Sequence, residues 1–282
     1  MNEDISKQLL QRLDKLIHHL EKMSPALPET DWNAYAFRWR RNGYLQAINH
    51  PHSIKLDDLL HVERQKQALI RNTEKFIQGN PANHVLLWGS RGTGKSSLIK
   101  ALLNQYADKK LRLIEVEKPD LINLPDIVEP LYGREEKFIL FSDDLSFEAD
   151  DASYKSLKAT LDGSIAAAPE NVLIYATSNR RHLMPEYMQE NLETQLIKNE
   201  LHHGEAVEEK ISLSERFGLW LSFYPLKQEQ YLDIVQHWLK RLDIEIRDKK
   251  EMETAALQFA LYRGSRSGRV ARQFVNDWSV SA

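Results

Sequence analysis

The chain has 282 residues, of which 42% are apolar and 28% charged, with a formal net charge of -3. This is the composition of a soluble globular protein with room for a sizeable core, and it offers no overall basic field for nucleic acid. Cysteine is absent, which excludes disulfides and every thiolate-based zinc or nucleophile site.

The N-terminal stretch "MNEDISKQLLQRLDKL" is charged throughout and has no apolar signal core. No apolar run approaches the roughly 18 residues of a membrane helix, so a cytoplasmic location is expected. Residues 4–23 read as an amphipathic helix, with Leu9, Leu13, Leu16, Leu20 and Met23 spaced 4-3-4-3 on one face. Packing on the protein's own body is the expected role of that face, and a short coiled-coil contact is the alternative. Pro25 and Pro28 end the helix. "AYAFRWRRNGYL" then interleaves Tyr35, Phe37, Trp39 and Tyr44 with Arg38, Arg40 and Arg41. Such a segment either stacks on single-stranded bases or docks by its aromatics with its arginines in water; the second is the commoner outcome.

From Ile54 the pattern becomes regular. A helical stretch runs to a stop at Gly79. Short apolar runs at 84–88, 111–116, 138–143, 171–178 and 219–224 then alternate with helical patterns. Alternation of this kind predicts a parallel sheet with helices on both faces. After Pro225 only helical patterns follow. The polar, acidic stretch 200–212 reads as an exposed loop. The pairs His18-His19 and His202-His203 lack a third ligand and read as surface residues.

The strongest motif is Gly89 to Ser96, which fits G-x-x-x-x-G-K-[ST] in full: Gly89, Ser90, Arg91, Gly92, Thr93, Gly94, Lys95 and Ser96, with Ser97 next. An apolar strand precedes it and an amphipathic helix follows. The glycines let backbone N–H groups converge on phosphate, and the helix start adds unpaired N–H groups and a positive dipole end. Lys95 is expected on the β and γ phosphates of a nucleotide, and the Ser96 hydroxyl on Mg2+. Such a cradle needs a carboxylate at the end of a neighbouring strand. "FILFSDD" supplies one: Asp143 is the candidate magnesium acid, and Asp144 lies beside it.

GTPases specify guanine with N-K-x-D, and none occurs here. The later part of the chain instead resembles the AAA+ family of ATPases. "LIYATSNRR" places Asn179 where that family has its sensor-1 residue. "SLSERFGLWLSFYPL" is similar to the segment carrying the family's arginine finger, at Arg216. "GSRSGRVARQF" resembles its sensor-2 motif, with Arg269 the best match and Arg266 and Arg272 as competitors. The resemblance covers about residues 54–282, and its nearest version is an uncharacterised bacterial group of AAA+ ATPases. It implies ATP and Mg2+ as ligands, Asp144 as the acid that orients the attacking water, and an oligomer in which Arg216 reaches the neighbour's nucleotide. A finger of that kind is worth roughly 10³–10⁵ in rate.

Three departures from the family pattern stand out. Asp144 replaces the usual glutamate and has about 1.5 Å less reach, with Glu148 in reserve. His61 stands where a glycine beside the adenine is often found. No aromatic-apolar-glycine pore loop appears; "LYG" at 131–133 is too close to the third strand, which lowers a protein-unfoldase role. The expected architecture is an α/β P-loop core of five parallel strands over 54–225, a C-terminal helical lid over 226–282 and an N-terminal helical extension over 1–53. The expected activity is slow ATP hydrolysis that drives conformational change on a macromolecular partner, protein or nucleic acid. A nucleotide-dependent binding switch with little hydrolysis is the alternative, and a small-molecule kinase ranks below both.

Overall fold

The computed structural model describes residues 12, 13, 15, 28–147, 151–162, 169–181, 183 and 213–281. Residues 12, 13 and 15 are helical, inside the helix expected over 4–23. Glu148, both histidine pairs and the 200–212 stretch lie outside the described residues.

The short apolar runs form strands: β1 (Ala36–Arg40), β2 (Tyr44–Ala47), β3 (Val85–Gly89), β4 (Leu111–Glu115), β5 (Lys137–Ser142), β6 (Val172–Ser178) and β7 (Leu219–Phe223). They make one sheet in the order β2-β1-β4-β5-β6-β3-β7. Strands β3 to β7 are the five expected parallel strands.

The sheet is wider than expected by a hairpin drawn from the N-terminal extension. Strand β1 runs parallel to β4, and β2 returns antiparallel to β1. The cause is local. Phe37 and Trp39 alternate with Arg38 and Arg40, a period of two that puts both aromatics on one face. The three-residue turn after Arg40 ends on Gly43 at φ +87, a conformation glycine adopts freely. Phe37 and Trp39 are buried, so neither is a platform for a base. Arg38 pairs with Glu115 at 2.6 Å and Arg41 with Asp120 at 3.2 Å. The docked reading of "AYAFRWRRNGYL" is therefore the one realised.

Around the sheet lie α1 (Glu63–Ile77), α2 (Lys95–Tyr106), α3 (Leu124–Val128) and α4 (Ala152–Asp162); α5 (Gln228–Arg241), α6 (Lys249–Tyr262) and α7 (Gly268–Ser281) form the C-terminal tail. Alternate strand residues feed two separate cores. Leu86, Phe138, Leu140 and Ile174 face α3 and α4, whereas Val85, Leu87, Phe141 and Tyr175 face α1 and α2. The tail has a third core of its own, built on Tyr231, Val235, Met252, Ala256 and Phe274, and Leu60 packs against it from the loop before α1. Among the described residues no helix is long and apolar enough to cross a membrane.

Candidate nucleotide site

Strand β3 lies between β6 and β7, so the loop after it opens at the carboxyl ends of three neighbouring strands, the usual ligand position in open α/β sheets. Gly89 is forced by its neighbour. A Cβ there would stand 2.0 Å from the Phe223 carbonyl oxygen, and Ser90 N–H donates to that same oxygen at 3.0 Å. The loop is thereby tied to β7, and Thr93 Oγ1 closes it by donating to the Ser90 carbonyl at 2.8 Å. Helix α2 starts at Lys95, in line with the cradle.

Lys95 is buried and folds back over its own loop. Its ammonium donates to the Gly89 and Ser90 carbonyls at 2.8 Å each and to Asn179 Oδ1 at 3.2 Å. Three protons meet three acceptors, so the charge is satisfied inside the protein. Burial draws its pKa below the usual lysine value; Asp143 and Asp144 oppose that shift, and Arg269 and Arg91 add to it.

The two acids part company at once. Ser96 Oγ donates to Asp143 Oδ1 at 2.6 Å, and Thr177 Oγ1 donates to the same oxygen. Asp144 turns away, with φ +52, and its carboxylate accepts from Asn179 Nδ2 and stands 3.9 Å from Arg91. The left-handed region is one that Asp and Asn enter more readily than most other side chains.

These groups line one cleft of about 920 Å³ between the sheet ends and the tail. Arg91, Gly92, Thr93, Gly94, Lys95, Ser96 and Ser97 form one wall, with Asp143, Asp144 and Asn179 beside them. Gly89 and Ser90 lie beneath, supplying carbonyls to Lys95. The tail closes the far side. Arg269 N–H donates to the Gly92 carbonyl at 3.3 Å, and Leu226, Ile234 and Trp238 give an apolar surface. Of the three competing arginines, Arg269 and Arg272 line the cleft and Arg266 does not. Arg272 stacks 4.3 Å from the ring centre of Trp238, in the same cleft wall.

Arg216 does not line this cleft. It stands before β7 and pairs through Nε with Asp162 at the end of α4. His61 holds φ +61, so its backbone has the left-handed conformation that a glycine at this position would adopt freely.

Two features had little signal in the sequence. Asp58 is buried under the cleft, where it pairs with Arg241 of α5 and accepts from Lys55 N–H at 2.9 Å. Acid and arginine are 183 positions apart, too far for a spacing argument. Thr177 had one faint signal, a hydroxyl inside the apolar run "VLIYATS".

The donor set suits magnesium and phosphate. Ser96 and Asp143 offer hard oxygen ligands, and the loop residues that line the cleft at the start of α2 offer backbone N–H groups to a phosphate.

Known proteins share this architecture. A family model described as "Protein of unknown function (DUF815)" matches residues 32–282. The crystal structure of the FIGL-1 AAA domain in complex with ADP superposes with a TM-score of 0.53 at 18% identity, covering 82% of this chain and 74% of that one. The RuvB Holliday junction branch migration motor of Thermotoga maritima superposes at 0.49 with 15% identity, covering 79% and 71%. The replication factor C large subunit of Ignicoccus hospitalis is 33% identical over 75 residues, 26% of this chain. That match spans only 15% of the relative's own length. The fold is of the AAA+ type.

Proposed function

The chain belongs to the DUF815 family, and we propose that it is an AAA+-type ATPase that binds ATP with magnesium and hydrolyses it to move a macromolecular partner. One observation carries this reading: Lys95, Ser96, Asp143, Asp144, Asn179 and Arg269 all line a single cleft at the carboxyl ends of the strands. The FIGL-1 AAA domain holds ADP in its crystal structure, which supports an adenine nucleotide as the ligand class.

The residues divide the work. Lys95 exchanges its three internal acceptors for phosphate oxygens. Ser96 and Asp143 would hold magnesium, which when bound neutralises charge on the phosphates. Asn179 and Asp144 orient water for attack on the γ-phosphorus, and Asp144 accepts its proton as the bond to the ADP oxygen breaks. Arg269 reports the phosphates to the tail. Arg216, which does not line its own cleft, acts on the nucleotide of a neighbouring copy in a homo-oligomer. Residues 54–225 are the ATPase core, 226–282 the lid and 1–53 an extension whose hairpin widens the sheet. The location is cytoplasmic.

A second reading, a nucleotide-dependent switch with little hydrolysis, draws on Asp144. It is one methylene shorter than glutamate and already bonded to Asn179.

Calorimetric titration with ATP, with and without magnesium, tests the common ground of both readings. Wild type should bind in the micromolar range typical of such sites, and Lys95→Ala should lose binding by about 100-fold or more, the scale of a lost charge-assisted contact to phosphate. Equal binding by the two proteins would remove ATP from this cleft.

A further inference from the structure

We infer that Thr177 is a positioning residue that assigns the two adjacent carboxylates their separate tasks. The inference rests on the ATP-magnesium reading of the cleft and adds a residue to it. Neighbouring acids repel, and a strand that simply ran on would send Asp143 and Asp144 to opposite faces of the sheet. The chain does something else. Strand β6 grips the turn after β5 at three points, all from two consecutive residues. Thr177 Oγ1 accepts the Asp144 amide N–H at 2.9 Å, the Thr177 carbonyl accepts the Leu145 N–H at 2.7 Å, and Ser178 Oγ donates to the Leu145 carbonyl at 2.7 Å. Asp144 at φ +52 is the residue held in the middle of that grip.

The hydroxyl of Thr177 has one proton to give. Because it accepts from the Asp144 amide, its own proton goes to Asp143 Oδ1. One buried group thus fixes the backbone that aims Asp144 toward Asn179 and fixes the oxygen of Asp143 that faces Ser96. Thr177 is 1% exposed and stands in the cleft wall beside these acids. Its packing and its hydroxyl are therefore separable by substitution.

Thr177→Val keeps the branched shape and removes the hydroxyl; Thr177→Ser keeps the hydroxyl and removes a methyl. A misplacement of about 1 Å at a reacting group can cost on the order of 10²-fold. For Thr177→Val the expected result is a magnesium concentration for half-maximal ATP binding raised about 10-fold and a kcat lowered roughly 10- to 100-fold, with metal-free ATP binding unchanged. Thr177→Ser should restore both to within about threefold of wild type. The binding readout is fluorescence of a labelled ATP titrated with magnesium chloride, and thermal melting checks that each variant is folded. A valine variant with the wild-type magnesium dependence overturns the inference. So does a serine variant as impaired as the valine one, which would make the role one of packing. A valine variant that fails to fold leaves the serine variant to decide, since a packing role predicts that it too is impaired. Failure of the wild type to bind ATP would sink the ATP reading itself and this inference with it.

Discussion

His84 enters β3 with its ring Nδ1 accepting the Ile174 N–H at 3.0 Å, which requires a neutral imidazole. Burial pushes its pKa down from the ordinary 6.5 to about 4. A depressed histidine leaves the folded state with fewer protons than the unfolded chain between those two values. The contribution of His84 to stability is therefore full above about pH 6.5 and falls as pH drops toward 4, by at most about 1.4 kcal/mol per unit, or roughly 3 kcal/mol in all. His84→Asn keeps an acceptor in place of Nδ1 without a titrating ring. Urea midpoints at about pH 7.5 and pH 4.5 should converge for that variant and diverge for wild type. A wild-type loss that persists unchanged in the variant would place the acid sensitivity elsewhere. At this scale the cradle residues were legible, because a phosphate-binding turn needs glycines at fixed steps and a lysine at the helix start. Thr177 was nearly silent, since a strand hydroxyl usually serves only itself.

The elements that meet at the cleft are held by an unequal ion pair. The Asp58 side chain is 1% exposed, whereas that of Arg241 on α5 is 35% exposed, and His237 approaches the same carboxylate at 3.5 Å. Removing one partner of a buried pair is costly chiefly for the charge left behind. Arg241→Met strands a buried carboxylate and should cost about 3 kcal/mol, whereas Asp58→Asn frees an arginine that reaches water and should cost about 1. Chemical denaturation ranks the two; the opposite order would mean that the arginine, through its packing beside Trp238, matters more than the charge. The strands of the core were readable from their continuous apolar runs. The β1–β2 hairpin carried two signals, alternation and Asn42-Gly43, yet it falls in the stretch 1–53 expected as a helical extension, where the residues read only as a segment docked by its aromatics. The contact of tail and core through Asp58 was not readable, because nothing local distinguishes a buried aspartate in "KLDDLL" from a solvated one.

At the largest scale, the described residues form a sheet whose carboxyl ends meet a small helical tail, with the loop from Gly89 to Gly94 between them. The order of motifs along the chain foretold that arrangement. Arg216 pairs with Asp162 and does not line the cleft. If it serves a neighbour, two defective proteins should rescue each other. The most direct measurement is steady phosphate release from ATP by wild type, Lys95→Ala, Arg216→Ala and an equal mixture of the two variants. The account predicts release by wild type, at least 10-fold less from each variant alone, and recovery of a substantial part in the mixture. No release from wild type at any protein concentration, or full activity in Arg216→Ala, would contradict it.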